Sequence, residues 1–242
     1  GPMLVVPLAR PDPRATRPEL VTVGGWVGDA IRLGGLEPGA TAELAARVLG
    51  SGQLPSELLA RLPSSTGGNP LFVRELVAML VHDGVLVAEA GGWRLTIDVD
   101  AIAVPPTIQA LLASRLERMN IADRRVLETA SVIGTDFSPA AVCALNGSSA
   151  AEVKSSLDRL RRLELVQHSG AYAGDDPVWR FHHILIRDVA YRRLLKSDRA
   201  ELHERFADWI QTGSQTGVFE SDELVARHLE SAHGYRRELG AR

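Results

Sequence analysis

Ser64-Ser65-Thr66-Gly67-Gly68-Asn69-Pro70 and Phe181-His182-His183 are the stretches of this chain whose residue types suit contact with a bound ligand. In the first, glycine lets the backbone approach a ligand closely, and the rigid ring of Pro70 presents a flat apolar surface. In the second, an imidazole with an ordinary pKa of about 6.5 can donate to a phosphate and be tuned by it. Each stretch also has a purely local reading. Asn69 before proline is a turn former that starts a helix, and a histidine at a strand–helix junction caps or packs locally.

Other chemistries find less support. The phosphate-cradling pattern G-x-x-x-x-G-K-[ST] is absent: Gly24-Gly25-Trp26 and Gly34-Gly35-Leu36 have no following Lys-Ser/Thr. No apolar strand ends in an acidic pair to hold magnesium and activate water, so phosphoryl transfer would lack positioning and charge neutralisation. There is no G-x-S-x-G elbow, and Cys143, between Val142 and Ala144, reads as buried rather than nucleophilic. Asp98 and Asp100 fall in a loop. His203, His228 and His233 read as surface residues of polar helices, with no metal site among the seven histidines. A single cysteine excludes an intramolecular disulfide and fits a reducing cytoplasm. No apolar run approaches the roughly 18 residues that span a bilayer. With 45% hydrophobic and 24% charged residues and a net charge of −3, the 242-residue chain has ordinary globular composition and no bulk attraction to nucleic acid or anionic membrane.

The elements that must position these residues follow from periodicity. Leu4–Ala9 is a continuous apolar run, the pattern of a strand covered on both faces, ended by Arg10-Pro11-Asp12-Pro13-Arg14. Gly1-Pro2 before Met3 reads as the scar of a cleaved tag, and the abrupt start on a core strand predicts a piece cut from a longer protein. Ala15–Glu37 is ambiguous. Thr41 is expected to cap a helix over Ala42–Leu49, and Pro55 to open another to about Leu62. Leu71–Asp83 carries an apolar stripe of Leu71, Val73, Leu76, Val77, Leu80 and Val81. Val85-Leu86-Val87 and Trp93-Arg94-Leu95 read as a small hairpin turning at Gly91-Gly92.

After Pro105-Pro106, helices are expected over Thr107–Met119 and Ala122–Ile133, a short one from Ser138-Pro139, and another capped by Ser148 or Ser149. Leu165–His168 and Val178–Phe181 are short strands around a polar loop, Ser169–Pro177, and three helices followed by a hairpin is the winged-helix order. Ile184–Leu195, Asp198–Gln211 and Glu220–Arg237 are further helices, the last two resembling the start of a helical repeat array.

Several segments now point one way. Thr66-Gly67-Gly68-Asn69-Pro70-Leu71-Phe72-Val73-Arg74-Glu75-Leu76 resembles the lid signature of STAND-type (AAA+-related) P-loop ATPases. Within them it is similar to the ATPase halves of large bacterial LuxR-type regulators and of class III adenylyl/guanylyl cyclase multidomain proteins. Val104-Pro105-Pro106-Thr107-Ile108-Gln109-Ala110-Leu111-Leu112 with Arg115-Leu116 resembles their linker and first winged-helix segment. Phe181-His182-His183-Ile184-Leu185-Ile186-Arg187-Asp188-Val189-Ala190-Tyr191 resembles their F-x-H-x-L-I-R-D-x-A-Y segment. The resemblance covers nearly the whole chain, in the family's order.

The resemblance implies a mainly α fold. Residues 3–36 would be the residual end of the α/β ATPase core, 37–104 a helical lid subdomain with a small hairpin, 105–195 a winged-helix domain, and 196–242 the start of helical repeats. It implies that Gly68-Asn69-Pro70 is the family's G-x-P motif, whose proline packs on adenine. His183 would be the winged-helix histidine that reads the β-phosphate of ADP, with neighbouring His182 as the alternative if the register shifts by one. Arg10 would follow the sensor strand near the γ-phosphate; equally, it is a solvated strand end. ATP or ADP is then the cofactor of an intact parent and none is expected for the chain alone, which should not hydrolyse ATP. Its partners would be the parent's own P-loop core, a C-terminal output domain and a protein bound through the terminal helices, with no membrane.

A DNA-binding winged helix is the second reading, since Ala151–Leu163 carries Lys154, Arg159, Arg161 and Arg162. Against it, residues 105–195 hold twelve basic and ten acidic residues, a net of +2, and Asp175-Asp176 in the wing would repel phosphates. A protein–protein scaffold is the third.

Overall fold

The computed structural model describes residues 33–50, 52–173, 176–212 and 222–240. Arg10, the expected strand Leu4–Ala9 and nearly all of the 3–36 segment lie outside them. Residues 33–35, in the unit Gly1–Gly35, form no helix or strand; the second unit begins at Leu36 and is mainly α-helical.

In this unit α1 (Pro38–Val48), α2 (Ser56–Thr66) and α3 (Pro70–His82) precede a hairpin of β1 (Leu86–Glu89) and β2 (Gly92–Leu95). The first helix starts earlier than the Thr41 cap expected from the sequence. Pro38, whose φ is preset for a first turn, begins it, and Thr41 is buried inside with its N–H on the Glu37 carbonyl at 2.9 Å. α2 runs past Leu62, through Pro63, to Thr66, because Leu62 and Thr66 both bury against the core. The hairpin turns at Ala90-Gly91, one residue before the expected Gly91-Gly92, and Gly92 pairs with Glu89. Only glycine fits there: a Cβ on Gly92 would lie 2.6 Å from the Gln53 carbonyl oxygen, in the loop that bridges to it.

A short 3₁₀ turn, Val99–Ala101, leads to α4 (Ile108–Glu117), α5 (Ile121–Ile133), β3 (Asp136–Phe137), α6 (Pro139–Asn146) and α7 (Ala150–Arg162). β4 (Val166–Ala173) and β5 (Asp176–Phe181) follow, then α8 (Ile184–Arg193), α9 (Lys196–Gln211) and α10 (Asp222–Glu238). Side-chain caps set the helix starts: Thr107 for α4, Asn120 for α5, Ser138 for α6, and Ser149 with Glu152 in a capping box for α7.

The strands form a three-stranded antiparallel sheet in the order β3-β5-β4, with Phe137 opposite Trp179 and Val166 opposite Phe181. Most of the segment expected as a polar loop, Ser169–Pro177, is strand, since ladder hydrogen bonds form whatever the side-chain polarity on a solvated hairpin. One core of buried side chains runs from Ala45 in α1 through Leu76, Leu112, Leu127, Leu157 and Phe181 to Phe206 in α9.

Candidate functional site

The Gly68-Asn69-Pro70 loop is shaped by its own backbone. Gly67 ends α2 with φ 57° and Gly68 follows at φ 67°, both in the left-handed region where glycine is favoured. The Asn69 side chain then accepts from the N–H groups of Leu71 at 3.0 Å and Phe72 at 3.2 Å, and Pro70 takes the first helical position of α3. This is the local reading of the loop realised. Gly68 is buried with its carbonyl accepting from Leu36 N–H at 2.8 Å, whereas Asn69 and Pro70 are exposed. The pyrrolidine ring therefore lies open beside the start of α3.

His183 also fills its local role. It is the N-cap of α8, its Nδ1 accepting from Leu185 N–H at 3.1 Å. With Nδ1 accepting, a neutral His183 carries its proton on Nε2. Half-buried His182 sits differently. Its backbone N–H donates to Leu165 at 3.0 Å, and its Nδ1 is buried without a hydrogen-bond partner. Burial first, then the positive charge of Arg74, holds His182 below the ordinary histidine pKa, so it stays neutral at neutral pH.

Arg74 lies one turn into α3, so His182 is placed electrostatically against the helix that Pro70 begins. Around them is an ionic junction that the sequence reading did not single out. Glu75, 1% exposed, pairs with Arg115 of α4, which also donates to the carbonyl of Leu163 after α7. Arg74 is 3.8 Å from Glu75 and 3.7 Å from Glu164, itself held at φ 56°. Two arginines face two glutamates, so the junction is charge-balanced and works as a clasp joining α3, α4 and the α7–β4 turn. A second pair, Asp83 with Arg118, joins the far end of α3 to α4. A signal was available: Glu75 lies three residues from Phe72 and beside Leu76, on the apolar face of α3, where an unpaired charge would be costly.

The basic face of α7 is partly consumed. Arg159 forks onto Asp123, 3% exposed, with contacts of 2.6 to 3.1 Å, and Arg161 lies 3.7 Å from Asp158. Burial pushes the Asp123 carboxyl up, but hydrogen bonds from Arg159, Ser156 and Asn120 outweigh it and hold the group below the usual carboxylate range. Lys154, Arg161 and Arg162 are exposed, while Val153, Leu157 and Leu160 are buried. Arg187 and Asp188 pair with each other at 3.4 Å, and Arg187 also donates to the Ser131 carbonyl at 2.9 Å.

His203 and His228 are not surface residues. They are 5% and 2% exposed, with their Nδ1 atoms 2.8 Å apart between α9 and α10. Tyr191 of α8 bonds His203 Nε2 at 2.7 Å and Tyr235 at 2.9 Å, so three helices meet on one polar chain. Among the described residues no group of three or more His, Cys, Asp or Glu is placed to hold a metal ion. Among the same residues no helix is long and apolar enough to cross a membrane.

A family model described as a domain of unknown function (DUF8739) matches residues 38–92, beginning at the first residue of α1. No curated protein matches the sequence. Among solved structures the chain is similar to a signal transduction ATPase with numerous domains (STAND) protein with a tetratricopeptide repeat sensor from Pyrococcus horikoshii. The two are 14% identical with a TM-score of 0.49, over 87% of this chain and 26% of the other, so the chain spans about a quarter of that protein's length.

Proposed function

We propose that this chain is a regulatory, nucleotide-sensing module of the STAND type. Residues 37–104 act as a lid and 105–195 as a winged-helix domain, whose helix–strand–helix–helix–strand–strand order runs from α5 to β5. The module closes over ATP or ADP held by a P-loop core elsewhere in a longer parent. It transmits nucleotide state toward α9, α10 and an output domain, which the sequence resemblance suggests is a LuxR-type DNA-binding tail or a cyclase. The observation that supports this reading is the junction: exposed Pro70 begins the helix that carries Arg74 and Glu75 into the charge-balanced clasp, and the charge of Arg74 reaches His182, the neighbour of His183. A rigid apolar face and an imidazole donor so held suit an adenine and a phosphate, respectively. Its sequence carries no G-x-x-x-x-G-K-[ST] pattern, so this reading assigns ATP turnover to the parent's P-loop core.

The test is ADP retention by the intact parent. His183→Ala should speed ADP release, and His182→Ala, measured alongside, identifies which imidazole reads the phosphate. Release unchanged in both variants overturns the proposal.

A second reading is DNA binding through α7, favoured by the exposed Lys154, Arg161 and Arg162. Fluorescence anisotropy with duplex DNA separates the two, since sequence-selective binding that weakens steeply with salt supports only the second.

A further inference from the structure

Beside the second ion pair, between the end of α3, the segment 101–105 and the end of α4, lies a half-open cleft of about 460 Å³. Met79, Leu80, Val85, Ile97, Ile102 and Val104 make its walls. Of these, Leu80 and Ile102 are buried core residues, and Ile97, 42% exposed, stands open at the surface. The volume falls within the roughly 300–1,000 Å³ of small-molecule sites, which favour boundaries between substructures and apolar walls with few polar groups.

The polar groups on the lining define the ligand. They are Asp83, Ser114 and Arg118. Arg118 is bonded to Asp83 and approaches Ser114 Oγ at 3.4 Å. The two charges are therefore already paired with each other. An anionic head would meet Asp83 and the negative end of α3, and a cationic head would meet Arg118. Either would have to displace an existing partner. A neutral molecule leaves the pair intact and still has the Ser114 hydroxyl for one hydrogen bond.

We propose that this cleft is a binding site for a neutral, predominantly apolar small molecule carrying at most one hydrogen-bonding group. The site is separate from the Pro70 and His182-His183 junction and does not depend on its reading. Because its lining comes from the end of α3, from residues 101–105 before α4 and from Ser114 and Arg118 at the end of α4, an occupant touches α3, α4 and the segment that joins the hairpin to α4.

N-phenyl-1-naphthylamine, a neutral aromatic amine whose emission rises in apolar surroundings, is the probe, with its sulfonated counterpart 1-anilinonaphthalene-8-sulfonate as the anionic comparison. The 242-residue protein should bind the neutral probe saturably at one equivalent and melt at higher temperature in its presence. The sulfonate should bind about tenfold or more weakly, because its charge opposes Asp83 and the end of α3. Ala103→Trp, an exposed linker position on the lining, should block the cleft and abolish binding while leaving melting without probe unchanged; Met79→Trp should fill it from within. Ile121→Ala, at an apolar side chain 74% exposed on α5, should leave binding as it is. Binding that survives both tryptophan variants, that disappears in Ile121→Ala, or that favours the sulfonate overturns the proposal.

Discussion

At the scale of single residues, the candidate ligand contacts carry structural duties of their own. Asn69 supplies the only side-chain cap described for α3, so Asn69→Ala should cost about 1 kcal/mol of unfolding free energy, and Asn69→Asp far less, by urea titration. A loss as large for Asp as for Ala would show that the loop conformation, not the cap, is what Asn69 provides. Glu75 and Arg115 set a sharper case. Arg115→Met leaves the Glu75 carboxylate, with a side chain 2% exposed, without its main partner, and should destabilise by roughly 3–5 kcal/mol. The double variant Glu75→Leu, Arg115→Met should recover most of that loss, because the desolvation penalty disappears with the charge. If the double variant is no more stable than the single one, the clasp contributes through geometry that apolar packing does not replace.

At the scale of elements, α8, α9 and α10 are joined by the chain Tyr235, Tyr191, His203, His228. Burial, then the nearby Arg187, Arg227 and Arg199, lowers the His203 pKa to about 4. Burial, then His203, Arg227 and Arg187, lowers that of His228 to about 3. Burial and the Tyr235 hydrogen bond push the Tyr191 hydroxyl up. In the unfolded chain the imidazoles titrate near 6.5, so between pH 6.5 and 4 the unfolded state binds more protons than the folded one. Stability is therefore full above pH 6.5 and falls as the pH drops, by on the order of 2 kcal/mol for each ring at pH 5. Hydrogen exchange should show α10 opening first on acidification from pH 7.5 to 5, and His228→Phe should flatten that dependence. An α10 whose protection does not change with pH would mean the rings are charged or solvated in the fold.

At the scale of the molecule, the decisive feature of the unit that begins at Leu36 is that buried apolar side chains from α1 to α9 form one cluster. Ala45, Leu76, Leu112, Leu127 and Phe206 belong to the same packed cluster, and Arg205 of α9 donates to the Ala144 carbonyl at 2.9 Å. Residues 38–210 should then unfold together, with amides of α3 and α5 showing the same denaturant midpoint by hydrogen exchange. Separate midpoints would place a hinge between the hairpin and α4.

What the sequence determined alone was local. Asn69-Pro70, Ser138-Pro139 and Ser149 with Glu152 announce helix starts, because a cap needs only its own next three residues. The stripes Leu71–Val81 and Val153–Leu163 announce buried faces, because helical period is a property of one segment, although at their ends Leu71 and Leu163 are only half-buried and Val81 is exposed. Tertiary structure decided the rest. β3 is two residues long and exists only because Phe137 finds Trp179. Which of His182 and His183 meets Arg74, and that Glu75, His203 and His228 are buried, depend on which helices come together. A polar residue on a helix face looks solvated until a partner from a distant segment, Arg115 or Tyr191, arrives to satisfy it.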